Sequence, residues 1–162
     1  PWADKIQFRL GSGLSVLQPG EATEIIIAGM GAETVLEILD AAPWVRNEQY
    51  NFVFVPATKH SVLRKGLAQR GFALKSETLC RAAGRLYTVI NAQPVGEAFL
   101  TRSTRLFASA WLCGKTQGQP EAQAYREQQL VKLKKYRLGL APGPQADGVD
   151  ALIQEMEDGL WP

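Results

Sequence analysis

The feature that most constrains the fold is the run Ile25-Ile26-Ile27-Ala28, ended by Gly29-Met30-Gly31. Consecutive β-branched residues without alternation fit a strand buried on both faces of a parallel sheet that helices cover. The glycines stop the strand. Residues 32–41 then read as a helix with Val35, Leu36 and Leu39 on one face. The unit repeats. Phe52-Val53-Phe54-Val55 is a second buried strand stopped by Pro56, and a helix over about 59–70 turns Val62, Leu63 and Leu67 inward before Gly71 closes it. Phe72–Leu79 and Leu86–Asn91 follow as two β-rich runs around Cys80–Arg85, a spacing that predicts an antiparallel hairpin with a five- or six-residue loop. Strand, helix, strand, helix and hairpin together make an α/β sheet with one reversed strand.

On either side of this unit the texture differs. Lys5–Leu10 alternates (Ile6, Phe8, Leu10) and predicts a short strand that ends at the turn Gly11-Ser12-Gly13. After Gln93-Pro94, a short helix is expected over 105–113 and a basic one over Glu121–Leu138. A Pro/Gly-rich connection, Gly139–Gly148, leads to Val149, Leu152, Ile153 and Met156, spaced for an amphipathic helix. Two helices across a breaker-rich loop suggest a helical hairpin appended to the sheet. The expected division is 1–93 for the sheet domain and 94–162 for the helical extension.

Composition narrows the function. The 162 residues are 46% hydrophobic and 21% charged, ordinary for a soluble globular domain. No apolar run approaches the roughly 20 residues that span a bilayer, and the start, Pro1-Trp2-Ala3-Asp4-Lys5, has no leader pattern. It also lacks an initiator Met, so Pro1 reads as a cut, a processed end or an incomplete gene. Two cysteines, Cys80 and Cys113, and one histidine, His60, are too few for a Cys/His zinc site. A reduced cytoplasmic protein without a metal is expected. Charge is segregated. Residues 58–90 carry a balance of +6, with Glu77 the one acid, and 121–140 add +3, against −4 over 1–50 and −5 over 141–162. Such a pattern can mark a surface that meets phosphate.

Three elements could carry chemistry. Ala28-Gly29-Met30-Gly31 ends a parallel strand where ligands approach the backbone of open α/β sheets. It fails as a dinucleotide fingerprint because Thr34 stands at the third glycine, and it lacks the lysine of a P-loop. Gly11-Ser12-Gly13 follows the first alternating segment. Pro56-Ala57-Thr58-Lys59-His60 ends the second buried strand, with Thr58 the expected helix N-cap and Lys59 and His60 on the same sheet edge as Gly29–Gly31. No nucleophile elbow or carboxylate pair stands out.

These motifs, in this order, resemble the bacterial tRNA (adenine(22)-N1)-methyltransferases. Arg9–Leu14 ("RLGSGL") resembles the family's Gly-Asp-Gly-Leu turn. Pro19–Glu21 precedes Ile25–Leu39 ("IIIAGMGAETVLEIL"), similar to Ile-Ala-Gly-Met-Gly-Gly and its helix. Val55–Leu79 resembles the strand ending in Pro, the Leu-Arg pair, the Gly-Phe turn and the Glu-Leu strand, and Leu86–Ala92 ("LYTVINA") the last strand. The resemblance covers about residues 5–93. It implies a Rossmann-like class I methyltransferase sheet, its C-terminal part with an antiparallel final hairpin, plus a helical-hairpin tail. Ser12 replaces the usual acidic residue, Ala32 the second glycine, and Val55-Pro56-Ala57 a Gln-Pro-Asn. The family's first two strands, which hold the glycine-rich cofactor loop, have no counterpart here. They would lie between Lys5–Leu10 and Ile25–Ala28, so Lys5–Leu10 is expected to lose its neighbours and the chain to be incomplete as an enzyme.

The resemblance further implies S-adenosyl-L-methionine as cofactor, with Gly11, Ser12, Gly13, Ala28, Gly29, Met30 and Gly31 binding it, and tRNA as partner. Methyl transfer to adenine N1 needs no strong general base, and no catalytic residue is singled out. Pro56, Lys59, His60, Arg64, the basic stretch Arg70–Arg85 and, on the tail, Lys132, Lys134, Lys135 and Arg137 would contact the RNA. Rival readings are a non-catalytic RNA-binding protein on a decayed methyltransferase scaffold, a nucleotide-dependent oxidoreductase and a small-molecule methyltransferase.

Overall fold

A computed structural model describes residues 3–96 and 120–159. The segment expected as a helix over 105–113, with Cys113, lies outside these. Four strands form one sheet in the order β1-β2-β4-β3: β1 is Glu24–Ala28, β2 Asn51–Val55, β3 Phe72–Ala82 and β4 Arg85–Pro94. β1 and β2 pair in parallel, Ile25 opposite Phe52 and Ile27 opposite Phe54. β4 runs antiparallel to both of its neighbours. The expected α/β sheet with one reversed strand is therefore the observed one.

Helices α1 (Ala32–Asp40) and α2 (His60–Gln69) cover one face of this sheet. Val35 and Leu39 of α1, Leu63 and Leu67 of α2, and Ile25, Ile27, Phe52, Phe54, Phe72 and Ile90 of the strands share one buried core. Phe52 stacks on Phe54 and meets Phe72 edge-on, each at 5.4 Å between ring centroids. Val62 points outward, contrary to its expected inward position. The helices pack closely. A Cβ on Gly66 would lie 2.4 Å from Leu36 Cδ1, so a larger residue there would push α1 from α2.

β1 departs from expectation. It alternates, with Ile25 and Ile27 buried and Ile26 71% exposed, instead of being buried on both faces. The cause is its place at the sheet edge, with α1 and α2 on one side only. Lys5–Leu10 forms no strand. Ile6, Phe8 and Leu10 are exposed, Phe8 by 92%. An alternating apolar segment is a strand only where a neighbouring strand takes its hydrogen bonds, and none of the described residues does.

The β3–β4 hairpin is longer than its apolar runs and turns through two residues, Ala83 (φ 46) and Gly84 (φ 73), in place of a five- or six-residue loop. Two positive φ values in succession match the right-handed twist of the flanking strands. One irregularity interrupts the ladder. Leu74 pairs with Ala92 but Ser76 with Asn91, so Lys75 is an extra residue, and beyond it the parity of β3 inverts.

The tail is a helical hairpin, as expected. α3 spans Pro120–Leu138 and α4 Pro144–Glu157. The connection is shorter than Gly139–Gly148 because Pro144 opens α4 in the first turn, where its missing N–H is no loss. Leu133, Val149, Leu152 and Met156 bury against one another, with Ile153 at the margin. α3 also packs against β3, so the tail and the sheet are in contact.

Candidate functional site

The carboxyl ends of β1 and β2 are laced together. Gly29 N–H donates to the Val55 carbonyl (2.9 Å), Ala57 N–H to the Met30 carbonyl (2.9 Å), and Gly31 bridges Thr58. This brings the two expected site segments, Ala28–Gly31 and Pro56–His60, to one edge. Gly29 has φ +76, and nothing lies within 4 Å of where a Cβ would stand, so its backbone faces open space. Met30 is 41% exposed beside it. Both helices that start here lack a side-chain cap. α1 begins after Gly31, and α2 after Lys59, which takes the N-cap place expected of Thr58.

Lys59 adopts a left-handed backbone (φ 57), uncommon for a residue with a side chain. Its ammonium pairs with Glu33, in the first turn of α1. This hydrogen bond holds the Glu33 carboxyl below the usual carboxylate range. Both side chains are half exposed.

The other expected RNA contacts divide. Lys132 and Lys135 are exposed on α3, as phosphate ligands would be. Lys134 and Arg137 pair with Glu157 and Asp150 of α4, and Arg70 binds Asp40 of α1 at 2.5 and 2.8 Å. Pro56 is buried just beyond the end of β2. Arg64 is the clearest correction. It is 1% exposed and cannot reach a phosphate. Its Nε donates to Glu77 Oε2 at 3.0 Å, and its Nη2 donates to Glu77 Oε1 and, at 2.8 Å, to the Tyr125 hydroxyl of α3. Burial opposes the charge on Arg64, but Tyr125 and Glu77 outweigh it and hold the pKa above its ordinary value.

His60 lies beside this cluster. Its Nδ1 is 3.2 Å from Thr88 Oγ1, and its ring stacks on Tyr125 at 6.4 Å between centroids. Burial, followed by the charges of Arg64 and Lys132, lowers its pKa to about 4, so the ring is neutral at neutral pH. Glu77, Thr88 and Tyr125 were not singled out by the sequence. The one available signal was Glu77 standing as the sole acid in a basic stretch.

Gly11, Ser12 and Gly13 sit beside the later turns of α1. Gly13 packs on Ile38, roughly 10 Å along α1 from Gly31 at the helical rise per residue. Arg9 closes this segment by binding the Val16 carbonyl (2.9 Å) and Glu21. Among the described residues no group of acidic, Cys or His side chains could hold a metal ion, and no helix is long and apolar enough to cross a membrane.

Comparisons with known proteins agree with this geometry. A tRNA (adenine(22)-N(1))-methyltransferase of Bacillus subtilis (strain 168) is 32% identical over 88 residues, which are 54% of this chain and 37% of that protein. The chain thus spans little more than a third of that curated relative. The fold matches Streptococcus pneumoniae Sp1610 (TM-score 0.75, 22% identity, 97% of this chain and 70% of that one). It also matches M. capricolum TrmK solved with S-adenosyl-homocysteine (TM-score 0.58, 16% identity, 93% and 66%). These two likenesses bear on fold alone. The family profile described as a methyltransferase domain matches residues 2–90, which take in the laced edge, both covering helices and most of the hairpin. With more than half its length in that match, the chain belongs to the methyltransferase domain family.

Proposed function

We propose that this chain is part of an S-adenosyl-L-methionine-dependent methyltransferase that methylates N1 of adenine in tRNA. The observation that carries the reading is the laced edge. An open glycine backbone ends a parallel strand, where α/β sheets bind ligands, inside the stretch that matches the methyltransferase family. The B. subtilis relative, a tRNA (adenine(22)-N(1))-methyltransferase, suggests the substrate class.

The residues present fit one wall of a cofactor site. Ala28, Gly29, Met30 and Gly31 would hold the methyl-bearing end, because the backbone is open at Gly29 and the thioether of Met30 offers a polarisable surface. Gly11–Gly13 would meet a different part of the cofactor, and Ser12 offers no carboxylate there. S-adenosyl-L-methionine supplies an electrophilic methyl group on a sulfonium. Adenine N1 would receive that methyl group through its lone pair, leaving a neutral thioether, and the methylated base would carry the positive charge. No side chain has to remove a proton. The work of this chain is therefore alignment and exclusion of water, and the backbone carbonyls and the Glu33 carboxylate at the edge would offset the charge of the product. Lys59, Lys132 and Lys135 would hold RNA phosphates, and His60 would act as a neutral ring beside them. With a tRNA substrate, the expected compartment is the cytoplasm.

The test uses the protein purified from its own host with its natural ends. It is incubated with unmodified tRNA transcripts and methyl-labelled cofactor, and the RNA is digested to nucleosides. Label in 1-methyladenosine supports the reading. Tight tRNA binding without label would favour a non-catalytic RNA-binding protein instead.

A further inference from the structure

The buried cluster around Arg64 has a consequence for how the proposed substrate is held. Arg64 belongs to α2, Glu77 to β3 and Tyr125 to α3. Arg64 and Glu77 are almost wholly shielded from water, and Tyr125 is 4% exposed. A buried charge keeps its place only while its hydrogen-bonding partners stay in theirs. The guanidinium is planar with fixed donors, so donating to Glu77 and Tyr125 together fixes the direction from which α3 approaches. The Tyr125 ring lies nearly parallel to His60 (12°), and His60 Nδ1 is in turn 3.2 Å from Thr88 Oγ1 of β4. One tyrosine of the tail is thus held by Arg64 and His60 of α2, which Glu77 of β3 and Thr88 of β4 hold in turn.

The grip lies at the functional edge. His60 is the first residue of α2, next to Lys59 and the lacing of Thr58 to Gly31. Lys132 stands two helical turns beyond Tyr125, near enough to His60 to oppose its protonation. The contact therefore carries the exposed lysines of α3 to the same edge as Lys59.

We propose that Arg64, Glu77 and Tyr125 form a positioning dock. It locks the lysine-bearing face of α3 beside the carboxyl edge of the sheet, so that the substrate's phosphates meet one rigid cationic surface built from two parts of the chain. This rests on the reading that the substrate is an RNA. Arg64 serves it as a positioning residue, from inside, and not as a phosphate ligand.

The test compares the wild-type chain with Tyr125→Phe, which keeps the ring on His60 and removes the hydroxyl, and with Tyr125→Ala, which removes both. Spin labels at Glu37→Cys on α1 and Gln128→Cys on α3, in a background carrying Cys80→Ser and Cys113→Ser, report the distance between tail and sheet without reference to activity. Titration with tRNA and, separately, methyl-transfer kinetics complete the set. The dock predicts a narrow distance distribution in the wild type that broadens in Tyr125→Phe and further in Tyr125→Ala. If the docked fraction falls, tRNA affinity and KM for tRNA weaken in proportion, by about fivefold or more in Tyr125→Ala. KM for the cofactor should stay within about twofold of wild type, since the loss acts through the dock and not at the cofactor wall.

Unchanged distances in both variants would overturn the dock. So would broadened distances with tRNA affinity unchanged, since α3 would then move without consequence for RNA. If the wild-type protein transfers no methyl group at all, the proposed reaction fails, and distances and tRNA affinity still decide the dock. If Tyr125→Ala does not fold, Tyr125→Phe decides alone.

Discussion

Two ion pairs sit within one and a half turns of each other at the start of α2, and they work by opposite means. Lys59–Glu33 is 60% and 50% exposed, whereas Arg64–Glu77 is 1% and 0%. In water the first pair gains little, because solvent screens it and two long side chains must be held in one geometry. The second pair has surrendered its hydration entirely. Neither partner can leave without stranding the other in a low-dielectric interior. The exposed pair suits an edge that must exchange partners when an anion arrives. The buried pair suits a joint that must not move.

The sharpest way to break this contrast is to remove one buried partner. Glu77→Gln leaves the Arg64 charge without its carboxylate and should destabilise the fold by about 3–5 kcal/mol. Glu33→Gln should cost less than about 1 kcal/mol. Urea unfolding of the two variants checks both values. Equal losses would show that burial is not what separates the pairs. Replacing both buried partners together, Arg64→Met with Glu77→Leu, should recover most of the stability lost in Glu77→Gln, because it removes two desolvation penalties at once. If the dock is right, this double variant is stable yet loosely docked, since Tyr125 no longer meets a guanidinium.

The next effect is in pH. His60 has a folded-state pKa of about 4, below the ordinary histidine value of 6.5. The unfolded chain therefore takes up the proton first as pH falls. The contribution of this site is fully present above about 6.5 and is lost progressively towards 4. The ring is only partly buried, so the loss should be about 1–2 kcal/mol and not the full value of the shift. Unfolding midpoints of the wild type and His60→Gln, measured between pH 7 and pH 4.5, isolate it. Parallel curves would mean that His60 titrates as an ordinary exposed histidine.

The contrast was only half legible in the sequence. The core segments of β1, α1, β2 and α2 could be read because each carries its own periodicity and stop: Ile25–Ala28 before Gly29, Phe52–Val55 before Pro56, and α2 before Gly71. Lys59 and the glycine edge followed from the position of those stops. Arg64 was misjudged because a charge count gives a residue its sign and not its depth. Its partner was hidden by the extra residue at Lys75. In an unbroken strand Glu77, five residues from the buried Phe72, would face away from it, but the irregularity inverts the parity and turns Glu77 inward opposite Ile90. Lys5–Leu10 failed for the reverse reason. Its alternation is real, but pairing depends on neighbours and not on the segment itself.

The smallest effects test whether the exposed pair is held by charge or by the backbone beneath it. Lys59 sits in the left-handed region at φ 57, which costs a residue bearing a Cβ roughly 1 kcal/mol relative to glycine. Lys59→Ala removes the ion pair and keeps the strain, so stability should change by no more than about 0.5 kcal/mol. Lys59→Gly removes both the pair and the strain. It should gain up to about 1 kcal/mol from that relief, less what the more flexible unfolded glycine takes back. A lysine kept at a strained position despite a more stable alternative is the mark of a residue selected for what it contacts. Both variants should therefore weaken tRNA binding alike, and their salt dependence should fall by about one phosphate contact. If Lys59→Gly bound tRNA as tightly as the wild type, the lysine would be holding the loop and not the RNA. The cationic surface at this edge would then begin at Lys132.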